Sequence, residues 1–283
     1  MNIKNVAVIG GGTMGNGITH VFAMNGFNVA LIETKQEFAD RALATITKNL
    51  DRMVSKEKIS EQQKEESLAN ITVHLNIGDG VANADLVVEA VPEDLEIKRA
   101  VWTQVDAAAP EGCIFGSNTS SISITKLAAM TSRPNHFIGM HFFNPVPVMK
   151  LVEIVRGLET SDEVYQAIEE TSKKLNKIPV PVNDMPGFVS NRVLMPMINE
   201  AIFAVYEGVA TPEHVDEVMK LGMAHPMGPL RLADFIGLDI CLSILNVLHD
   251  GFKDPKYRPC PLLVQMVDAG KLGNKSGEGF YSY

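Results

Sequence analysis

The segment GMHFFNPVPVMKLVEIV, residues 139–155, places a histidine and a glutamate in strongly apolar surroundings. His141 stands between Met140 and two phenylalanines, and Glu153 follows in an equally apolar run. An imidazole changes charge at about pH 6.5, so a histidine can serve as a general acid or base. A lone histidine in such a run is also typical of a core residue with one hydrogen bond. Both interpretations of His141 stay open on this segment alone.

Length and composition describe a globular chain with room for two domains. The 283 residues exceed the roughly 100 to 200 of a typical domain, and 46% are hydrophobic while 21% are charged. The formal net charge of −9 argues against nucleic-acid binding, which usually leaves a basic footprint. An anionic ligand would need a local basic patch.

Cysteine usage and the amino terminus point to a reducing compartment. The three cysteines are scattered and lack CxxC or Cys/His spacing, so neither a disulfide framework nor a metal site is indicated. The first residues, MNIKNVAVIGGG, enter a strand pattern without a signal peptide, and no apolar run reaches the roughly 18 residues of a membrane span. We expect a cytoplasmic protein with no membrane partner.

The amino-terminal segment carries a dinucleotide-binding pattern. A β-branched run leads through Gly10, Gly12 and Gly15 into an apolar-periodic segment and a second strand that ends before Glu33. These glycines permit a tight turn, close approach of the pyrophosphate and close packing of helix on strand, while the acid binds the ribose hydroxyls. A carboxylate repels a 2′-phosphate, so NAD is favoured over NADP, although Lys35 lies nearby.

Basic residues recur every four positions in the next segment, which reads as helix, break, helix. Lys48, Arg52 and Lys56 would share one helical face. This face is either a solvated helix flank or a clamp for the phosphates of a substrate handle, and the spacing alone favours neither.

Alternating strand and helix patterns continue to about residue 184. Helical segments such as Leu95–Ala107 and Asp162–Leu175 separate apolar runs, which predicts an α/β fold with a mainly parallel, doubly wound sheet and ligands at the carboxyl ends of its strands. Polar residues stand at several such ends: Glu93, Ser117 to Ser120, His141 and Asn144.

A second, mostly helical domain is predicted from residue 185 to residue 283. Pro186 and Gly187 punctuate the boundary, and a long apolar run of helical period follows. Thr211 and Pro212 mark a helix start that Gly222 ends. So apolar a helical domain suggests a partner surface, and we expect a homodimer.

Seven segments together resemble the L-3-hydroxyacyl-CoA dehydrogenase family, and within it the bacterial 3-hydroxybutyryl-CoA dehydrogenases. They are VIGGGTMGNGI, VVEAVPEDLEIK, SNTSS, GMHFFNPVPVMKLVEIV, PGFVSNR, HPMGPLRLADFIGLD and KSGEGFY, in the family's order. The resemblance implies a Rossmann-like domain over residues 1–184 and a helical substrate and dimerisation domain over 185–283. It also implies NAD-linked oxidation of an acyl-CoA substrate, (3S)-3-hydroxybutyryl-CoA, in fatty acid and butanoate metabolism.

The resemblance also implies roles for individual residues. His141 matches the family's catalytic base and Glu153 its carboxylate partner, while Ser120 and Asn191 match contacts to the substrate's C3 oxygen. The expected cofactor contacts are Gly10, Gly12, Gly15, Glu33, Glu93, Lys98, Asn118 and Asn144. Arg52 and Lys56 match basic positions that hold the CoA part.

Three positions depart from the family pattern. Glu33 replaces a common Asp, Ala224 replaces a frequent Asn, and Arg231 sits where an acid is common. None of these is among the four residues expected to do chemistry. His225, beside proline in the same segment as Ala224, is interpreted as a structural loop residue.

Two alternatives to the CoA-linked enzyme are retained. One is an NAD-linked dehydrogenase of a free β-hydroxy acid, a class that generally relies on a catalytic lysine. The other is a non-enzymatic dinucleotide-binding protein, because a fold does not fix a function. The presence of His141 and Glu153 favours the CoA-linked dehydrogenase over both alternatives.

Overall fold

The computed structural model describes residues 2–283, which divide into two compact units that meet in sequence at Asp184 and Met185. The first unit is built on one sheet and the second on helices. The expected fold class, a Rossmann-like doubly wound sheet followed by a helical domain, is confirmed.

Eight strands of the first unit form a single sheet in the order β3-β2-β1-β4-β5-β6-β7-β8. The strands are β1 (Asn5–Ile9), β2 (Asn28–Ile32), β3 (Ile71–His74), β4 (Leu86–Glu89), β5 (Ile114–Ser117), β6 (Phe137–Phe142), β7 (Leu151–Arg156) and β8 (Ile178–Asn183). Neighbours run parallel except β6 and β7, which are antiparallel. The order reverses at β1, and such a switch point is where open parallel sheets bind ligands.

Seven helices of the described first unit connect these strands. They are α1 (Thr13–Met24), α2 (Gln36–Ser55), α3 (Glu61–Ala69), α4 (Ile77–Val81), α5 (Leu95–Ala108), α6 (Ile124–Ala128) and α7 (Asp162–Lys174). The predicted helix, break and helix after β2 is confirmed by α2 and α3. However, α2 ends at Ser55, so Lys56 is its C-cap residue and does not belong to the helical face of Lys48 and Arg52.

The two faces of β6 are buried against different partners because side chains alternate along a strand. Ile138, Met140 and Phe142 belong to the apolar core that also contains residues of α1 and α7. On the other face, the ring of Phe137 lies 4.6 Å from that of Trp102 in α5. His141 has the parity of Phe137 and therefore faces away from the large apolar core.

The second unit has five helices among the described residues and its own apolar core. They are α8 (Ser190–Tyr206), α9 (Pro212–Gly222), α10 (Pro229–Ile236), α11 (Leu238–Phe252) and α12 (Pro261–Asp268). Ile198, Leu230 and Leu245 are fully buried within this core. The predicted limits of α9 are confirmed, since Thr211 caps it by accepting the N–H of His214.

Within residues 2–283, no single helix combines the length and apolar composition needed to cross a membrane. The helices α10 and α11 reach that length and composition only when taken together, and they are bent by 98° relative to each other.

Candidate active site

The turn between β1 and α1 requires glycine at two of its three predicted positions. Gly10 has φ +93°, and a Cβ there would lie 2.9 Å from the carbonyl oxygen of Ala90. A Cβ at Gly15 would lie 1.6 Å from the Gly10 carbonyl oxygen, so α1 packs directly on the turn. Around Gly12, by contrast, the space within 4 Å of a Cβ is open. The turn thus leaves room for a ligand at Gly12, the N-cap of α1, where a helix favours anions.

A cavity of about 530 Å³ lies beside this turn. It is bordered by the turn and start of α1, by Glu33 and α2 as far as Asn49, and by the loop after β6: Gly11, Gly12, Thr13, Asn16, Gly17, Glu33, Phe38, Arg41, Ala42, Thr45, Asn49, Asn144, Pro145, Val146 and Pro147. An open glycine turn, a helix N-terminus and an acid at the end of the second strand together fit a dinucleotide. The predicted positions of Gly12, Glu33 and Asn144 in one site are consistent with this fit.

Glu33 is fixed at the edge of the cavity by the backbone. Its Oε1 accepts the N–H of Gly11 at 2.6 Å, and its Oε2 accepts the N–H of Thr34 at 3.0 Å. Each carboxylate oxygen can accept a further hydrogen bond, so both retain capacity for ribose hydroxyls. The same charge opposes a 2′-phosphate. Glu33 is one methylene longer than the Asp that is common at this position in the family, and it still presents its carboxylate to the cavity.

His141 and Glu153 face each other across β6 and β7. The antiparallel register pairs these two residues directly, which places their side chains on the same face of the sheet. Nδ1 of His141 lies 2.7 Å from Oε2 of Glu153, and the two residues are only 8% and 2% exposed. The ring of Phe143 lies 4.6 Å from the imidazole. A buried histidine with a carboxylate on one nitrogen can exchange protons through the other.

Lys98 and Glu89 form a buried ion pair at the carboxyl end of β4, and Glu93, whose side chain is 37% exposed, lies beside it. The ammonium of Lys98, at the start of α5, lies 2.6 Å from Oε1 of Glu89 and 3.2 Å from Oε2 of Glu93. Burial raises the pKa of Glu93, but Lys98 and hydroxyl donors outweigh it and hold that pKa below its usual range. The sequence analysis missed Glu89, although an acid closing the apolar run LVVE is a visible signal.

The turn of residues 118–121 follows β5 and contains Ser120. The N–H groups of Ser120 and Ser121 each donate to Oε1 of Glu93 at 3.1 Å. Asn118 accepts the N–H of Phe142 with its Oδ1 at 2.9 Å, which joins the end of β5 to the end of β6. Asn118 is thus placed close to the strand of His141, and its role toward the cofactor stays a prediction.

The loop that carries Asn144 is held by a buried lysine that the sequence analysis missed. Nζ of Lys177 donates to the carbonyl of Met149 at 2.7 Å and also to that of Val146. Burial lowers the pKa of Lys177. Because a buried ammonium requires acceptors, this side chain anchors the loop that borders the cavity.

The remaining predicted residues belong to the end of α2 or to the second unit. Arg52 and Lys56 are exposed, one in the last turn of α2 and one at its C-cap. Asn191 is the second residue of α8, belongs to the second unit and is buried there.

His225 lies in the loop between α9 and α10, where its N–H donates to the carbonyl of Met219. Ala224 has φ +56°, a left-handed conformation that asparagine adopts more readily than alanine.

Comparison with known proteins identifies the relatives of both units. The family model "3-hydroxyacyl-CoA dehydrogenase, NAD binding domain" matches residues 5–185, and the model of the same family's C-terminal domain matches residues 187–283. A probable 3-hydroxybutyryl-CoA dehydrogenase of Bacillus subtilis is 52% identical over 283 residues, covering 100% of this chain and 98% of that protein. A probable 3-hydroxybutyryl-CoA dehydrogenase of Deinococcus radiodurans is 56% identical over 277 residues, covering 98% of this chain and 99% of that protein.

Solved structures agree with these relatives. The crystal structure of (S)-3-hydroxybutyryl-CoA dehydrogenase from Ralstonia eutropha superposes with a TM-score of 0.97 at 50% identity, covering 100% of this chain and 99% of that one. The resemblance found in the sequence is confirmed. With an NAD-binding domain, a matching C-terminal domain and full-length relatives, the chain belongs to the 3-hydroxyacyl-CoA dehydrogenase family of NAD-dependent enzymes.

Proposed function

We propose that this enzyme interconverts (3S)-3-hydroxybutyryl-CoA and acetoacetyl-CoA with NAD(H), and that His141 is its general acid and base. The observation that supports the chemistry is the 2.7 Å contact of His141 Nδ1 with Glu153 within a buried strand pair. The names of relatives at about half identity support the substrate.

The proton transfer follows from the geometry of the pair. With its Nδ1–H donated to Glu153, the neutral imidazole has Nε2 as the proton acceptor. Nε2 takes the proton of the C3 hydroxyl during oxidation and returns it to the carbonyl oxygen during reduction. Glu153 compensates the positive charge of the imidazolium, which its buried surroundings would otherwise disfavour. Bound NAD supplies the hydride acceptor for oxidation and, when reduced, the hydride donor for the reverse reaction.

Further residues are assigned to the proposed site by the family resemblance. Ser120 and Asn191 are assigned to the C3 oxygen, which is a hydroxyl in one substrate and a ketone in the other. The residues assigned to NAD are Gly10, Gly12, Gly15, Glu33, Glu93, Lys98, Asn118 and Asn144. The fixed carboxylate of Glu33 supports NAD over NADP.

The basic residues near the end of α2 are assigned to the CoA phosphates. Arg52 and Lys56 are exposed and make no ion pair within 4.0 Å among the described residues. On a chain of net charge −9, such a local basic patch is the feature that an anionic substrate handle needs. A solvated helix flank is the alternative, and kinetics can separate the two.

A cofactor and substrate matrix tests the proposal. NADH and NADPH are each combined with acetoacetyl-CoA and with free acetoacetate, and oxidation is followed by absorbance. We expect turnover with NADH and acetoacetyl-CoA, weak turnover with NADPH and negligible turnover of the free acid. Preference for free acetoacetate would establish a β-hydroxy acid dehydrogenase instead. Tight NADH binding with no turnover of either substrate would support a non-enzymatic role.

A homodimer and a cytoplasmic location complete the proposal. Large apolar side chains of the second unit are exposed, including Val193 at 65%, Leu221 at 78% and Phe235 at 63%. Apolar exposure of this kind is typical of surfaces that bury against a partner. Light scattering at micromolar concentration should give twice the chain mass, and a monomeric mass would refute the dimer. The cytoplasmic location draws its support from the bacterial relatives.

A further inference from the structure

Strands β4 and β5 end side by side, and each ends in a polar residue. Glu89 closes β4, Ser117 closes β5, and the two are register partners in the parallel pair. The hydroxyl of Ser117 donates to Oε2 of Glu89 at 2.7 Å. Ser117 Oγ in turn accepts the N–H of Thr119 at 3.2 Å. The start of the 118–121 turn is therefore tied to Glu89.

The carboxylate of Glu89 also determines where Lys98 lies. Glu89 is 0% exposed, and its Oε1 accepts from Lys98 Nζ at 2.6 Å and from the Val91 N–H at 2.9 Å. A buried charge is tolerated only when it is paired and hydrogen-bonded. Because both oxygens of Glu89 are engaged, the ammonium of Lys98 is held at a defined point.

From that point Lys98 reaches the residue that binds the Ser120 backbone. Its Nζ lies 3.2 Å from Oε2 of Glu93, whose other oxygen accepts the N–H of Ser120 at 3.1 Å. The hydroxyls of Thr119 and Ser121 donate to the same oxygen at 2.5 Å and 2.7 Å. Glu89 is thus connected to the turn by two routes, one through Ser117 and one through Lys98.

We propose that Glu89 is a positioning residue for the turn that presents Ser120, acting through Ser117 and Lys98. The inference rests on the proposed function, which assigns Ser120 to the C3 oxygen of the substrate. A small displacement of this turn weakens a hydrogen bond that strengthens as charge develops on that oxygen. The loss should therefore appear in kcat for acetoacetyl-CoA reduction.

A double-mutant cycle of Glu89→Gln and Ser120→Ala tests this connection. The amide keeps the shape of the side chain but removes the charge that holds Lys98. We expect Glu89→Gln to lower kcat about tenfold in the otherwise unchanged enzyme, and less than about twofold in the Ser120→Ala background, because coupled residues are not additive. Equal losses in both backgrounds, or no loss in either, would overturn the inference.

Glu96→Gln is the matched control. Glu96 lies on the same helix α5 as Lys98, but its side chain is 77% exposed. The change should leave kcat within about twofold, since surface substitutions have small effects. An equal tenfold loss in this control would show that the effect of Glu89 is not specific, and would also overturn the inference.

A second variant covers the case in which Glu89→Gln does not fold. Ser117→Ala removes the hydroxyl contact to Glu89 and leaves the ion pair with Lys98 in place. We expect a loss in kcat of about threefold that again disappears in the Ser120→Ala background. Additive losses would overturn the inference while leaving the proposed function intact. Absence of acetoacetyl-CoA turnover in the unchanged enzyme would overturn the proposed function, and with it this inference.

Discussion

Two histidines are buried in the first unit, and they differ in what stands beside them. His20 in α1 is 1% exposed, and neither ring nitrogen has a hydrogen-bond partner among the described residues. Burial, together with the nearby Lys177, lowers the pKa of His20 to about 4. His141 in β6 is almost as buried, but a carboxylate oxygen lies 2.7 Å from its Nδ1.

The difference shows that burial alone does not make a base. At His20, desolvation keeps the imidazole neutral because nothing compensates a proton. At His141, the carboxylate of Glu153 lies where it would compensate the charge of an imidazolium, as the proposed role of acid and base requires. The partner is therefore what separates a core histidine from a candidate catalytic one.

The largest effect is expected when the paired imidazole is removed. His141→Ala should lower kcat on the order of 10³-fold, since positioned general acid–base catalysis is usually worth 10²- to 10⁴-fold. Affinity for NADH should change little, as measured by fluorescence titration. Turnover close to that of the unchanged enzyme would remove the base assignment.

Removing the partner while keeping the imidazole is the next test. Glu153→Gln leaves a hydrogen-bonding group opposite His141, but a neutral amide cannot compensate an imidazolium. We expect kcat to fall on the order of 10²-fold, while the melting temperature changes little because the amide keeps the shape of the side chain. Full activity in steady-state kinetics would reduce Glu153 to a core hydrogen-bonding residue.

The unpaired histidine should affect stability and not chemistry. The folded-state pKa of His20 lies below the ordinary value, so the unfolded chain binds more protons as the pH falls. Above about pH 6.5, His20 is neutral in both the folded and the unfolded chain and does not reduce the free energy of unfolding. Between pH 7.5 and pH 5, the free energy of unfolding should fall by about 2 kcal/mol because the unfolded chain takes up the proton first.

His20→Leu should therefore lose less stability than the unchanged enzyme over that interval, as measured by urea unfolding at both pH values. His214→Gln, at an exposed position of α9, is the control and should leave the pH dependence unaltered. An identical pH dependence in His20→Leu and the unchanged enzyme would contradict the pKa difference between the folded and unfolded states.

Arg52 and Lys56 differ from both histidines, because they are exposed and make no ion pair among the described residues. Arg52→Ala and Lys56→Ala should raise KM for acetoacetyl-CoA by about three- to tenfold with little change in kcat, because contacts far from the reacting carbon bind ground and transition states alike. The penalty should shrink with added salt, which screens exposed charges. Lys174→Ala, at an exposed position of α7, is the control and should leave KM for acetoacetyl-CoA unchanged. Normal KM in both variants at low salt would identify a solvated helix flank.

The smallest effect is expected at His225, a half-buried histidine in the loop after α9 that makes no ion pair among residues 2–283. His225→Gln should leave kcat and KM within about twofold, because substitutions away from charged or buried networks have small effects. A large loss in kcat would transfer a catalytic role to this loop and weaken the comparison of His20 with His141.

Local patterns predicted most elements of this fold because their causes are local. Gly10 and Gly15 are required by close backbone contacts within one βα unit, and Thr211 caps the helix that begins beside it. The prediction that Lys48, Arg52 and Lys56 share one helical face was only partly right, because α2 ends at Ser55 and leaves Lys56 outside the helix. Helix ends depend on the chain that follows, which a four-residue spacing does not describe.

The sequence by itself determined the sheet of alternating strands and helices, the glycine turn and the acid at the end of β2, since each depends on residues close together along the chain. Only the tertiary structure decided the pairing of His141 with Glu153, because it requires β7 to return antiparallel in one register, and a shift of one residue would turn Glu153 to the opposite face. For Lys98, where the family resemblance implied a cofactor contact, the ion pair with Glu89 joins positions nine residues apart within one βα unit. What the tertiary structure adds is the hydroxyl of Ser117 on the neighbouring strand β5, which donates to the other oxygen of Glu89.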